Sequence, residues 1–386
     1  MAKPTLKFAL IALLLGPAPL SAETKFYHDG DVKEPLASVI ESASKYLHME
    51  WLSVACDSAT EPFLKQMEEK AAAGVGVRMI VNKTYSWLSF PCLRRLEKAG
   101  IEIVKAPTHS SYIVNDRGQM LIGSQSLARM FLNSTGTNGL DRDSMLYVEG
   151  TAARDAARDF ASNWNGNKAS SQARIEPPAH KDMKPTEHCY FLSQKPNGAK
   201  RDIENALAQF TLTAKKSIFL SGVKISGRKD ADSPSGRILR SLKLKARAGV
   251  TVEYLGNGPE GGNGELTMVL NEWIQDSPYR PVREGLKLLR DWDSRRTTEK
   301  HFSSYRDFLT EKNMTVWNHD QFLHYKIWSF DKETIFVGSA NLHDDSWNDF
   351  YEAGVLCRDR KLASQLEKKL ALDRANSSVF GKSVLN

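Results

Sequence analysis

The chain has 386 residues and a formal net charge of +7, from 53 Lys and Arg against 46 Asp and Glu. Its 41% hydrophobic and 26% charged residues are ordinary for a soluble globular protein, and the length suits two or three domains. The positive excess suits anionic partners such as phospholipid headgroups or nucleic acid, and equally a basic surface kept for solubility.

Lys3 and Lys7 precede an apolar run from Phe8 to Leu15, and Gly16, two prolines and Ser21-Ala22 follow. This reads as a signal peptide over 1–22, cleaved after Ala22, which makes the mature protein periplasmic or secreted. The run is too short to span a bilayer as an anchor, and no later segment is longer. Losing Lys3 and Lys7 reduces the net charge to +5.

Residues 23–165 then read as a first α/β domain. The strand KYLHMEWLSVAC (45–56) leads into the helix LKQMEEKAAAG and the strand VGVRMIVN, which ends at Asn82. A strand pair follows from His109, then SMLYVEG and the helix AARDAARDFASNWN. Residues 166–195 lack periodicity and read as a linker. Residues 196–386 repeat the order. KKSIFLSGVKIS, LRSLKLKARAG and VTVEYLGN end at Asn257, a strand pair follows from His324, and YEAGVLC and KLASQLEKKLAL close the unit. Both early helices end in Ala-Gly, the step a glycine C-cap supplies. Strand and helix in alternation predict an α/β fold with a mixed sheet in each half.

The halves differ by an insert of about 258–300. It begins GPEGGNGE and continues basic, with Arg295 and Arg296. Inserts of this length in compact domains tend to be functional loops. GPEGGNGE lacks a following GK[ST] and is no P-loop. Cys56 and Cys92 lie in the first half, Cys189 and Cys357 in the second. Pairing within halves is preferred among three connectivities, and the spacings match no zinc pattern.

The chemistry concentrates in HYKIWSFDKETIFVGSANL (324–342). It sets out His324, Lys326 and Asp331 as H-x-K-x4-D, then Gly338, Ser339 and Asn341. On a strand, His324 and Lys326 point to one face. The imidazole attacks phosphorus or protonates a leaving oxygen. Lys326, Ser339 and Asn341 offer charge and hydrogen bonds to phosphate oxygens. Glu352, on the next strand, stands ready to hold the remote ring nitrogen of His324, as a triad acid does. In the first half His109, Asp116, Gly123 and Ser124 recur at the same spacing, and Asp143 occupies the place of Glu352. Ser111 stands where the lysine is expected, a weaker phosphate ligand without charge, and Ser126 replaces the asparagine.

These residues resemble the HKD signature of the phospholipase D superfamily, in its two-motif form. DRDSMLYVEGTAARDAARDFASNWN resembles its cardiolipin synthase-like branch. The resemblance implies two pseudo-twofold-related α/β domains sharing one site. It implies phosphodiester cleavage or exchange without metal or cofactor. One histidine forms a phosphohistidine and the other protonates the leaving alcohol. His109 would be the nucleophile, His324 the acid, and Asp116 and Asp331 structural partners.

Three outcomes of the Ser111 replacement stay open. The site works with Lys326 alone, helped by Arg295 or Arg296; it works with the histidine roles reversed; or it binds phosphate without turnover. The expected function is an exported phosphodiesterase or phosphatidyltransferase on phospholipid headgroups, in contact with a membrane surface and monomeric. A nuclease of the same chemistry and a non-catalytic phosphate- or membrane-binding module are the alternatives.

Overall fold

The computed structural model of the chain describes residues 23–380, except 88, 133–141, 179–185, 187, 224, 227–231, 258–279, 290–304, 306–307, 309 and 320–321. The expected signal peptide lies outside the described residues. So does most of the expected insert, with GPEGGNGE, Arg295 and Arg296; within it, residues 280–289 are helical.

Two mixed sheets form the body. The first contains β1 (Thr24–His28), β2 (Tyr46–Trp51), β3 (Gly76–Asn82), β4 (Glu102–Ala106), β5 (Tyr112–Asn115), β6 (Gln119–Gly123) and β7 (Ser144–Glu149). Their order is β1-β7-β6-β5-β2-β3-β4. β2, β3 and β4 run parallel, and the other pairings are antiparallel. The helix Glu61–Ala72 makes the crossover between β2 and β3, as parallel neighbours require.

The second sheet repeats this layout. It holds β8 (Cys189–Lys195), β9 (Lys200–Arg201), β10 (Ser217–Ser221), β12 (Thr251–Asn257), β13 (Met314–His319), β14 (Lys326–Phe330), β15 (Thr334–Gly338), β17 (Glu352–Cys357) and β18 (Ser377–Val379). β11 (Ile225–Ser226) and β16 (Leu342–His343) pair separately. The main order is β18-β13-β12-β10-β14-β15-β17-β8-β9, so its middle seven strands match the first sheet one for one. The chain leaves the helices before β3 and β12 through left-handed glycines, Gly74 and Gly249.

One expected boundary moves. Residues 189–195, assigned to the linker for lack of periodicity, form β8 and pair with β17 as β1 pairs with β7. β8 begins the second unit rather than preceding it. Its sequence, CYFLSQK, lacks the apolar–polar alternation of a half-buried strand, and Ser193 and Gln194 are buried polar residues in it. The cysteines pair within halves, Cys56 with Cys92 and Cys189 with Cys357, the latter pair tying β8 to β17.

The halves pack through a common core. Ile122 and Leu146 of the first sheet join Val337 and Val355 of the second, with Phe160 and Leu366 from two long helices. Those helices are Thr151–Asn167 and Arg360–Ala375. The first buries Ala152, Ala153, Ala156, Ala157 and Ala161, small side chains that let backbones approach. In the second, Leu362, Leu366 and Leu370 repeat every four residues along one buried face. Arg142 closes the seam between halves, with Nη2 2.5 Å from Asp373 Oδ1.

Candidate active site

Both motif histidines sit just ahead of a strand at the seam. His109 lies between β4 and β5, and His324 two residues before β14. The backbone stitches each to the opposite half. The His109 N–H donates to the Tyr351 carbonyl at 2.8 Å, and the His324 N–H donates to the Arg142 carbonyl at 2.8 Å.

Tyr351 precedes Glu352 and Arg142 precedes Asp143, so this stitching decides which carboxylate meets which ring. His109 Nδ1 lies 3.1 Å from Glu352. His324 Nδ1 lies 2.9 Å from Asp143 Oδ2. The pairing expected from sequence, Glu352 with His324 and Asp143 with His109, is corrected: the carboxylates cross the seam. All four groups are buried. A carboxylate on Nδ1 fixes the N–H there and leaves the Nε2 lone pair for chemistry.

Lys326 opens β14 and is 1% exposed. Its Nζ donates to His324 Nε2 at 2.9 Å. Ser111 holds the equivalent place in the first half and is buried, its carbonyl accepting from the Gly123 N–H at 3.0 Å.

The two Gly-Ser turns act on the carboxylates. Ser124 Oγ donates to Asp143, and Ser339 Oγ donates to Glu352. Each hydroxyl has one proton and spends it there, so these serines orient the carboxylates rather than donate to phosphate. Gly123 and Gly338 are required beside them. A Cβ at Gly123 would lie 2.1 Å from the Ser144 carbonyl oxygen, and one at Gly338 2.6 Å from that of Ala353. Asn341 Oδ1 accepts from the Val223 N–H at 3.2 Å, and its buried Nδ2 has no partner among the described residues. The Ser126 hydroxyl, two residues past Ser124 as Asn341 is past Ser339, is likewise buried without a partner among them.

Asp116 and Asp331 take no part in this cluster. Asp116 accepts from the N–H groups of Ser44 and Lys45 at 2.8 and 3.0 Å. Asp331 accepts from those of Lys215, Lys216 and Ser217 at 2.9, 2.7 and 3.0 Å. Partial burial works to raise both carboxyls, but these backbone donors outweigh it and hold them below the usual range.

Several residues in the cluster were not singled out from sequence. Asn82 and Asn257, noted only as strand ends, hold the backbone before each histidine. Asn82 Nδ2 donates to the Thr108 carbonyl at 2.5 Å, and Asn257 Nδ2 to the Leu323 carbonyl at 3.1 Å. Their recurrence at the end of matched strands was the available signal. Ser346 Oγ donates to Glu352. Glu50 on β2 is fully buried and accepts from Thr108 Oγ1 at 2.9 Å, Tyr112 OH at 2.8 Å and Asn163 Nδ2 at 2.9 Å.

Burial raises the Glu50 carboxyl, although its hydrogen bonds to Asn163, Tyr112 and Thr108 act the other way. A carboxyl raised in the folded state adds stability below its unfolded pKa, and that stability is lost as pH rises through the folded value. Glu50→Gln therefore flattens stability against pH on the alkaline side. Glu50→Ala strands three buried donors and costs about 3 kcal/mol. Urea unfolding across pH measures both; an unchanged midpoint for Glu50→Ala would show the network is not structural.

Several known proteins are similar to this chain. The family model described as "Cardiolipin synthase, PLD-like domain" matches residues 209–373. Cardiolipin synthase of Halalkalibacterium halodurans is 24% identical over 92% of this chain and 67% of its own length. That of Alkalihalophilus pseudofirmus is 23% identical over 94% and 68%. These matches support a cardiolipin synthase-like assignment within the phospholipase D superfamily.

Two solved structures share this fold over about nine tenths of the chain. Phosphatidylserine synthase of Haemophilus influenzae superposes with a TM-score of 0.64 at 14% identity, covering 92% of this chain and 87% of that one. Polyphosphate kinase of Porphyromonas gingivalis gives 0.56 at 14% identity, over 90% and 46%. The chain spans about two thirds of the length of the cardiolipin synthases it matches.

Proposed function

We propose that the protein is an exported phosphodiesterase of the phosphatidyltransferase type, acting on phospholipid headgroups through a phosphohistidine. The observation that carries this reading is the crossed pair of His–carboxylate couples at one seam, with Lys326 beside His324. Similarity to cardiolipin synthases supports a phospholipid as the substrate.

The roles follow from the bond at Lys326. Lys326 Nζ donates to His324 Nε2 at 2.9 Å, a bond that needs a lone pair and no proton on that nitrogen. That is the attacking form, so His324 is assigned as nucleophile and His109 as acid, the reverse of the assignment the resemblance implies. His324 Nε2 bonds to phosphorus, and the bond from phosphorus to the leaving alkoxide breaks. His109 gives that alkoxide its proton. It then takes a proton from water or a second alcohol, whose oxygen attacks phosphorus and frees His324. Lys326 shifts from the ring to a non-bridging oxygen as negative charge gathers there. The Asn341 Nδ2 is a further donor to that charge.

Purified protein is expected to release or exchange headgroups on phosphatidylglycerol vesicles in EDTA, since no step needs a metal. Absence of free headgroup and exchanged lipid, with single-stranded DNA cleaved instead, would replace the lipid reading by the nuclease one. Absence of any turnover would leave a binding module. Export rests on the Phe8–Leu15 leader. N-terminal sequencing of protein recovered outside the cytoplasm is expected to begin at Glu23, and a retained leader would count against cleavage.

A further inference from the structure

A second basic feature lies apart from the histidine seam. An open cleft of about 1000 Å³ runs between β1 and the helix Arg360–Ala375. Lys25 lines it from the strand side, and Lys361, Lys368 and Lys369 from the helix, against the carboxylates of Glu23 and Asp359. Positions 361, 365, 368, 369 and 372 share one helical face, which concentrates the lysines. Asp359 is already engaged as the helix cap, accepting from the N–H groups of Lys361 at 2.7 Å and Leu362 at 3.1 Å.

His28 lines the same cleft and is 8% exposed. Neither ring nitrogen completes a hydrogen bond among the described residues. Burial, then Lys369 and Arg142, push its imidazole down to about 3, the Asp143 backbone pulling the other way. The ring is therefore neutral near pH 7, and at least one of its two polar atoms has no hydrogen-bond partner among the described residues. A buried polar group without a partner is costly, so the position is built for one.

The internal repeat shows what kind of partner is missing. The strand pairings align β1 with β8 and place His28 opposite the position of Ser193. The matching helices place Lys368 at the position of Asp159. In the second-half counterpart the carboxylate is supplied by the protein. Asp159 Oδ1 accepts from Ser193 Oγ at 2.9 Å and lies 3.4 Å from Lys200 Nζ and 3.9 Å from Lys195 Nζ. Around His28 the lysines stand at other positions, on β1 and the helix face, and the helix carboxylate has become one of them.

We propose that this cleft binds a phosphate-bearing anion, with Lys25, Lys361, Lys368 and Lys369 as its counter-charge and His28 as its hydrogen-bonding group. The ligand is inorganic phosphate or the headgroup phosphate of an anionic lipid. None of the cleft residues belongs to the histidine seam, so the site is independent of the proposed reaction. It borders it nonetheless: Asp29, next to His28, accepts from the Asp143 N–H at 3.0 Å and donates its own N–H to the Asp143 carbonyl at 3.1 Å.

The test uses the full chain with labelled histidine. Inorganic phosphate is titrated while the His28 ring resonances are followed, and sedimentation is measured with phosphatidylcholine vesicles with and without phosphatidylglycerol. Phosphate is expected to move the His28 signals. Lys368→Glu with Lys369→Glu is expected to weaken phosphate binding, and any binding to anionic vesicles, about tenfold or more. His324→Ala is expected to leave both unchanged. Phosphate binding with selective sedimentation on anionic vesicles names a lipid source, and phosphate binding without it a soluble one. If the double variant does not fold, Lys361→Glu gives the same reading at about fivefold. Still His28 resonances with both probes would overturn the proposal. So would affinities unmoved by charge reversal, or DNA binding that the reversal abolishes while phosphate leaves His28 unaffected.

Discussion

His324→Ala is expected to form no labelled phosphoenzyme from a labelled phosphodiester, whereas His109→Ala traps the label and releases it slowly. The first loses the only atom assigned to bond with phosphorus, and turnover should fall about 10⁴-fold or more. The second keeps the nucleophile, with Lys326 still 2.9 Å from Nε2 and Asp143 2.9 Å from Nδ1. It loses the acid, worth about 10²–10⁴-fold. Label that survives His324→Ala and vanishes in His109→Ala would reverse the roles. Unmodified protein that turns over substrate but never carries label would remove the covalent step altogether.

Asp143→Asn is expected to reduce turnover about 10³–10⁴-fold, because an amide cannot fix the His324 tautomer as a carboxylate does. The sharper consequence is which ring responds. In the crossed arrangement the Nδ1 proton resonance of His324 moves in Asp143→Asn while that of His109 stays. Glu352→Gln does the opposite, since Glu352 holds His109. Proton NMR of the imidazole region reads this without any activity. A response in the ring of the same half would show that the seam is wired as sequence spacing suggested.

That spacing was a sound guide to the repeated sheets and not to the wiring between them. The repeat of His, Asp and Gly-Ser at equal intervals is visible in the chain, and the two sheets reproduce it strand for strand. Glu352 lies 28 residues past His324 and Asp143 lies 34 past His109, which invites pairing within each half. No interval along the chain can tell on which side of a seam a carboxylate falls. The backbone bonds from His109 to Tyr351 and from His324 to Arg142 decide it, and they exist only between folded halves. Ser124 and Ser339 were misread for a related reason: a Gly-Ser turn near phosphate chemistry suggests a phosphate ligand, and the neighbouring carboxylate is invisible in sequence. Glu50 escaped notice because it stands alone in an apolar strand, and its counterpart is Ser221. The lysines of the His28 cleft, Lys25 apart, lie on a charged helix with no motif to mark them. Only the matched Asp159 shows that a charge has been inverted there.

The crossing also sets the order in which the protein becomes able to react. His109 waits 243 residues for Glu352, and His324 must reach back 181 residues to Asp143. A nascent chain that has released and folded its first half holds an imidazole without its base-fixing acid and an acid without its imidazole. Each half, cut from the other, would be inert however well it folded. The crossed His–carboxylate pairs therefore exist only once β17 has docked against the first half.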